Sequence, residues 1–543
     1  MEKDIRGRLS VGVSEFDDLI EQNKIYVDKT SFIKKMVDYG EKYYFLSRPR
    51  RFGKTLLVST LENFFHGKKE LFKNTYIYNN WDDWNEYSVI RISMKEISNE
   101  SPNRLKKDLL KLIEIIAKDN NIKLIEGGSY ILTFGQLIKD LFQKSENKVI
   151  VLINEYDAPI IDNITNSKLV DENREILQNF YNVLKTSEKY LKFVFVTGIS
   201  KFTKTSMFSK FNNLTEITLD EDYSMICGIS HEELENYYHD HIQLVADKNS
   251  YSYSETLDKI DFFYDGYSWD GKNRVFNPYS TLHVLAQKKF SSFWFSTGTP
   301  SFIAEIFKMR KISENYFKPI LIKETDLNAI DPDNINETTL LFQGGYLTID
   351  NKIFKNNIME YSLKIPNFEV EEAFKDNLHN LYMLKFETGF KNSQKEIWNE
   401  VINGKCEKLS QNLRAFISGI SYYNRISIEN KEKWKMYSMI FNVWARQKDF
   451  HLREEIAMED GRIDFVLENI KENQTLIIEM KYTQDQSKSF DTLINEAFKQ
   501  IEYKKYWWAY TGKIKLMALA LKDIKIDNGY ITDVKCKIKD VPI

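Results

Sequence analysis

The chain has 543 residues, 42% of them hydrophobic and 14% aromatic, which is enough for two to four packed domains and gives no reason to expect a long disordered region. A net charge of −3 with 29% charged residues argues against a general basic coat for nucleic acid, though a local basic channel remains compatible. Cys227, Cys406 and Cys536 fit no metal spacing and suit a reducing compartment; no apolar run reaches membrane-spanning length and no apolar signal core opens the chain, so a cytoplasmic protein without a membrane partner is expected.

Tyr26-Val27-Asp28-Lys29-Thr30 precedes a predicted helix from Ser31 to Val37. The segment could approach a base or a ribose; the plainer reading, a strand end with Thr30 as helix cap, is preferred. Next comes an apolar stretch, Tyr43 to Leu46, then Arg48-Pro49-Arg50-Arg51-Phe52-Gly53-Lys54-Thr55, then a helical run from Leu56 to Leu61. Strand, tight loop, Gly-Lys-Thr and helix are the layout of a phosphate-binding loop: backbone N–H groups cradle phosphates, Lys54 reaches the β and γ oxygens, and Thr55 ligates Mg²⁺. A full loop has Gly where Arg48 stands. Arg48, Arg50 and Arg51 add charge that suits phosphate, with Arg50 to Leu56 as the nucleotide-binding stretch. The bland alternative is a helix N-terminus behind a basic solvated loop.

Val149 to Ile153 is wholly apolar, as expected for a parallel strand covered on both faces. It ends in Asn154-Glu155-Tyr156-Asp157. In a Walker B strand the first of these positions is normally Asp, holding the Mg²⁺ shell, and the second is Glu, polarising the attacking water. Glu155 fits the second role. Asn154 offers the first only an uncharged oxygen. Phe193 to Val196 is the next buried strand, and Thr197 at its tip is the candidate γ-phosphate sensor; a strand ending in a turn is the bland alternative.

Taken in order, Val11-Gly12-Val13-Ser14-Glu15-Phe16, Ser47 to Thr55, Leu152 to Asp157, Thr197-Gly198-Ile199-Ser200-Lys201-Phe202, Tyr264-Asp265-Gly266-Tyr267, Asn277-Pro278-Tyr279-Ser280, Gly345-Tyr346-Leu347-Thr348 and Ile365-Pro366-Asn367 resemble the bacterial AAA-ATPase-like family whose members often carry a C-terminal PD-(D/E)XK nuclease domain. The resemblance covers most of the chain. It implies that Arg48 is a family trait, and that Asn154 departs from the family's Asp, which bears on hydrolysis more than on binding. It also makes a homo-oligomer compatible, although no Arg can be assigned the role of an arginine finger.

From 221 to 300 the pattern is helical, with Tyr-rich turns, and fits the lid of an AAA-type core. From 301 to 372 helices precede a predicted hairpin (Tyr346 to Ile349, Met359 to Ile365), which suggests a winged-helix-like module.

Further on, Gly461-Arg462-Ile463-Asp464 opens one strand, and Leu476 to Tyr482 forms another containing Glu479-Met480-Lys481. Period-two geometry puts Glu479 and Lys481 on one sheet face, with Asp464 on the adjacent strand of a hairpin. Two carboxylates and an amine would make a Mg²⁺ site, with Asp464 and Glu479 as ligands and Lys481 orienting or deprotonating water. On residue pattern alone an exposed hairpin face with a salt bridge competes. The spacing resembles the PD-(D/E)XK core, and that resemblance adds Glu455, with Glu454 the competing choice, as a further metal-site carboxylate and Gln500, on a predicted helix from Phe490 to Tyr506, as a phosphate contact. Tyr503, Tyr506, Trp507 and Trp508 could stack bases, with core packing the preferred reading.

The expectation is therefore an α/β protein: a P-loop AAA-like core (1–220), a helical lid and winged-helix-like module (221–372), a helical connector (373–430) and a PD-(D/E)XK αβ sandwich (431–543). ATP and Mg²⁺, or Mn²⁺ in its place, are the expected cofactors. DNA is the expected partner, with RNA left open.

Overall fold

In the computed structural model the described residues are 7–541, apart from 165, 202–213, 295–318, 328–335, 356–357, 386–389, 420–429, 446–450, 459–460, 470–472 and 527–528. The chain forms two compact units, with the division between Ala373 and Phe374. Among the described residues no helix is long and apolar enough to cross a membrane.

The first unit is built on five parallel strands, β1 (Tyr43–Ser47), β2 (Val89–Ser93), β3 (Val149–Asn154), β4 (Leu191–Gly198) and β5 (Thr215–Glu216), in the order β2-β3-β4-β1-β5. β1 and β3 are buried along their whole length, as apolar strands between two helical layers must be. The flanking helices start where small polar residues accept their first free N–H groups: Ser101 from Arg104, with Pro102 in the first turn, and Ser129 from Leu132. Because the strands are parallel, the carboxyl ends of β1, β3 and β4 open on one edge, where an open α/β sheet forms its ligand crevice.

The helices His231–Asn249, Tyr253–Tyr264 and Pro278–Gln287 pack around Leu234, Tyr238, Ile242, Ile260 and Val284. Ser230 with Glu233, and Ser252 with Glu255, close reciprocal capping boxes. β6 (Ile320–Lys323), β7 (Thr348–Lys355) and β8 (Ile358–Lys364) form a small antiparallel sheet in the order β6-β8-β7.

The second unit carries β9 (His451–Met458), β10 (Gly461–Asn469), β11 (Gln474–Thr483), β12 (Lys513–Ile526) and β13 (Gly529–Asp540), ordered β13-β12-β11-β10-β9. β10 and β11 are an antiparallel hairpin, whereas β11 and β12 are parallel and joined through the helix Phe490–Lys504. Leu493, Ala497 and Ile501 of that helix pack on Ile463, Val466, Ile477 and Ala518. The helix Glu407–Gly419, within the stretch expected as a connector, packs against β13 and belongs to this unit.

Candidate nucleotide cavity and carboxylate cluster

Arg48 follows directly on β1, and its position explains the missing glycine. Its side chain is 1% exposed, with the guanidinium donating to the carbonyls of Ser47 (2.9 Å), Thr218 (2.8 Å) and Tyr223 (3.2 Å) and stacking over Trp269 at 4.1 Å. It bolts the loop to the unit and adds no charge to the crevice, contrary to the expectation that it would face phosphate. Phe52 is another anchor, fully buried edge-on against Tyr267 and Trp269. Arg51 (φ +68°) and Gly53 (φ +90°) take left-handed backbone. Gly53 does so freely, whereas the strained Arg51 lays its guanidinium 3.7 Å over the Tyr279 ring.

Gly53 heads the helix Lys54–Phe65. Lys54 is buried, and its ammonium donates to the Arg48 and Pro49 carbonyls, both at 2.8 Å; burial pulls its pKa down to about 8. Asn154 ends β3 within reach of Thr55: its Nδ2 donates to Thr55 Oγ1 at 3.2 Å, and its buried Oδ1 has no hydrogen-bond partner among the described residues. Glu155 follows with left-handed backbone (φ +53°) and lines the same cavity as the loop. Asp157 is buried and holds the tip of β4, accepting from Ile199 N (3.0 Å) and Ser200 N (2.6 Å); burial raises its pKa to about 6. Thr197, the candidate sensor, stands back from the cavity. It is fully buried and donates to the Leu46 carbonyl at 2.7 Å, and it does not line the cavity.

That cavity has about 400 Å³ and is lined at one end by Arg50 to Leu57, Lys95 and Glu155, and elsewhere by Ser10, Gly12, Val13, Ser14, Ile25, Tyr26, Val27, Ile229, Tyr279 and Leu282. Its size and its pairing of a polar end with apolar walls suit a small-molecule site. The 10–14 wall is held because Phe16 N donates to Ser59 Oγ (2.9 Å) and Glu15 takes two hydrogen bonds from Arg91 (2.7 and 2.8 Å). Tyr26 and Val27 thus belong to the site, against the preferred bland reading. Thr30 does not cap its helix: Lys29 occupies that position, and Thr30 Oγ1 accepts from Ile77 N instead.

The motifs that carried no chemistry in the sequence also gather here. Gly345 has φ +85°, and a Cβ on it would sit 2.9 Å from Pro49 Cβ in the loop. Gly266 has φ +97°, and a Cβ there would meet the Pro366 carbonyl at 2.2 Å; Asn367 in turn donates to the Asp265 carbonyl at 2.7 Å. Ser280, next to Tyr279, donates to Glu369 (2.7 Å), a buried carboxylate that also accepts from the backbone of Phe293 and Trp294. Trp294 Nε1 donates to the Arg50 carbonyl. Spatial proximity of such distant segments has no local periodicity, which is why pattern reading could not join them.

In the second unit the hairpin and the Phe490–Lys504 helix converge. Lys481 Nζ donates to Glu479 Oε1 (2.9 Å) and Gln500 Oε1 (2.6 Å), while Met480 N donates to Asp464 Oδ2 (2.7 Å). Glu479 is 1% exposed, and its Oε2 has no hydrogen-bond partner among the described residues. Burial, and then the neighbouring Asp464 charge, push its pKa up to about 7. Asp464, Glu479, Lys481 and Gln500 are thus brought together rather than splayed. Glu455 lies on β9, but its side chain is outside the described residues. No group of three or more His, Cys, Asp or Glu that could hold a metal forms among the described residues. The oxygen donors of Asp464 and Glu479, one of them orphaned in a buried site, nonetheless fit a hard divalent cation. The four aromatics divide: Tyr506 is buried and Trp507 packs on the core, whereas Tyr503 and Trp508 are exposed.

Residues 10–208 match the family described as "Predicted AAA-ATPase", and residues 432–526 match the PD-(D/E)XK nuclease superfamily. The chain is 30% identical over 465 residues to an uncharacterized protein in the vnfD 5' region of Azotobacter chroococcum mcd 1, covering 85% of this chain and 87% of that one. Among solved structures it is similar to the Aeropyrum pernix ORC1 protein in complex with DNA (TM-score 0.24, 12% identity, 65% of this chain and 93% of that one) and to the Aeropyrum pernix ORC2 protein (TM-score 0.28, 10% identity, 71% and 97%). These two likenesses are too slight to bear on function. Motifs, sheet order and family matches agree, and the chain belongs to the AAA-ATPase-like family with a C-terminal PD-(D/E)XK nuclease domain.

Proposed function

We propose that the first unit binds ATP in the cavity beside Lys54 and that the second cleaves phosphodiester bonds in DNA with a divalent metal, under control of the bound nucleotide. The observation that carries the nuclease reading is the buried Glu479, whose one oxygen meets Lys481 while the other has no partner among the described residues. Lys481 meets only one oxygen of this buried carboxylate; a divalent cation would meet the other, with Asp464 beside it as a second ligand. The metal would lower the pKa of a bound water and offset charge on the scissile phosphate. Lys481, held by Gln500 as well as Glu479, would position that water, and could accept its proton only after losing its own.

For the nucleotide, Gly53 to Thr55 would take the phosphates on N–H groups at a helix start, and Thr55 would face Mg²⁺. Lys54 would exchange its two loop carbonyls for phosphate oxygens. Glu155 is aimed into the same cavity and is the candidate to polarise water for hydrolysis.

The test is incubation of linear and circular DNA, and of RNA, with Mg²⁺ or Mn²⁺, with and without ATP. Cleavage that ATP modulates and Lys481→Ala abolishes is the expected result. Cleavage unchanged in Lys481→Ala refutes the site, and cleavage indifferent to ATP refutes the gating. Asn154 favours a second reading, in which the first unit senses ATP without hydrolysing it, because a neutral amide replaces the charge that normally holds the Mg²⁺ shell. Tight binding without phosphate release is its signature.

A further inference from the structure

The four aromatics near the end of the Phe490–Lys504 helix are sorted by backbone geometry. Lys505 takes left-handed backbone (φ +47°), and a short turn from Tyr506 to Ala509 follows. This turns Tyr506 inward, where its hydroxyl donates to the Arg462 carbonyl at 2.7 Å, and packs Trp507 on the core. Tyr503 and Trp508 are left 83% and 72% exposed. Exposure alone decides nothing, since Tyr39 is 72% exposed too; what distinguishes these two rings is what surrounds them. Each carries a lysine: Lys504 Nζ lies 5.6 Å from the Tyr503 ring centroid and Lys505 Nζ 4.2 Å from that of Trp508. Glu502, the nearby acid that would repel a polyanion, is neutralised by Lys539. Gln500, which holds Lys481, lies one helical turn before Tyr503, so their side chains are neighbours on the helix surface.

We propose that Tyr503 and Trp508 form a platform on which unpaired nucleobases stack, with Lys504 and Lys505 against the adjoining phosphates. The substrate of the second unit is then a single strand or a frayed end, whose bases offer open faces; a paired duplex hides them. The proposal deepens the nuclease reading, and its link to cleavage rests on that reading, whereas strand binding can be measured without it. A protein partner would bury the rings equally well, but it would not call for a lysine on each ring beside a phosphodiester-cleaving cluster.

The experiment uses the full chain carrying Lys481→Ala and measures fluorescence anisotropy with an oligothymidylate of about 16 nucleotides and with a blunt duplex. Tyr503→Ala with Trp508→Ala is expected to weaken single-strand binding roughly 10- to 100-fold and duplex binding far less. Tyr503→Phe with Trp508→Phe should restore most of the affinity, because the ring does the stacking. In the cleaving protein the alanine pair should raise KM for single strands more than it lowers kcat. Single-strand affinity that ignores the rings, or a phenylalanine pair as weak as the alanine pair, overturns the proposal. Cleavage that needs Lys481 combined with ring-independent binding removes the platform alone; ring-dependent binding in a protein that cuts nothing supports the platform and removes the nuclease reading.

Discussion

Asp157 in the first unit and Glu479 in the second are both buried carboxylates whose pKa burial has raised, to about 6 and about 7. Their partners separate them. Asp157 accepts two backbone N–H groups and fixes the tip of β4, where a Cβ on Gly198 would sit 2.4 Å from its Oδ1. Glu479 has a lysine on one oxygen and no hydrogen-bond partner, among the described residues, on the other. A raised pKa alone does not distinguish a structural acid from a catalytic one, and neither does an orphaned oxygen, since Asp265 combines the two as well; what sets Glu479 apart is the second carboxylate, the lysine and the glutamine that converge on it.

The largest effect expected from this contrast is at Glu479. Glu479→Gln should lower metal-dependent cleavage by roughly 10³-fold or more while making the metal-free protein more stable to heat, because a neutral amide removes a buried charge. The sign follows from linkage. A carboxyl whose folded pKa lies above its ordinary value favours the fold most below the ordinary range, and that advantage is lost as pH rises towards 7. The wild-type protein should therefore lose stability between about pH 4.5 and 7, and the variant should lose less. Metal affinity should rise over the same window, since the metal competes with a proton. Thermal melts and metal titrations at several pH values check both; an unchanged pH slope in the variant would mean another group titrates.

Next in size is Lys54→Ala, expected to weaken ATP binding roughly 10²-fold by equilibrium titration. It sharpens the comparison from the cationic side. Lys54 rests on two carbonyls that ask nothing of its charge, whereas Lys481 is gripped by a carboxylate and an amide. Asp157→Asn comes third: both N–H groups share Oδ2, and a neutral amide oxygen in its place is a weaker acceptor for each, so stability should fall by about 1–2 kcal/mol in chemical denaturation with cleavage chemistry untouched. A larger loss of cleavage than of stability would break the division between the two acids.

Much of this was legible in the chain. β1, β3 and β4 stood out as apolar runs because a strand covered on both faces has no polar positions. Glu479 and Lys481 could be assigned to one face because strand periodicity is local, whereas Gln500 was singled out only by the resemblance to the PD-(D/E)XK core. Arg48 was misjudged because its burial depends on carbonyls some 170 residues away, at Thr218 and Tyr223. The bond from Thr197 to the Leu46 carbonyl was not legible because a strand tip reveals its neighbours only once the sheet order is known. The turn at Gly266 and the Pro366 segment were visible as separate motifs, but only their close approach explains why both are needed.

Asn154→Asp tests the first unit with the smallest expected gain, a rise in ATP turnover of roughly 3- to 10-fold. Asn154 already touches Thr55 and presents a buried oxygen with no hydrogen-bond partner among the described residues; on the proposed reading the position would serve a Mg²⁺ shell and lacks only the charge. Aspartate would supply that charge at a cost, because it would be buried close to Glu155 and to the already raised Asp157. The same substitution should therefore lower the stability of the nucleotide-free protein slightly and be rescued by Mg²⁺-ATP, whereas in the wild type the nucleotide adds less. Phosphate release that does not rise, together with a melt that Mg²⁺-ATP does not restore, would show that the end of β3 is not where the metal binds. In that outcome Asn154 would resemble Asp157, a polar residue serving the fold, and the case for chemistry would rest on the cluster around Glu479.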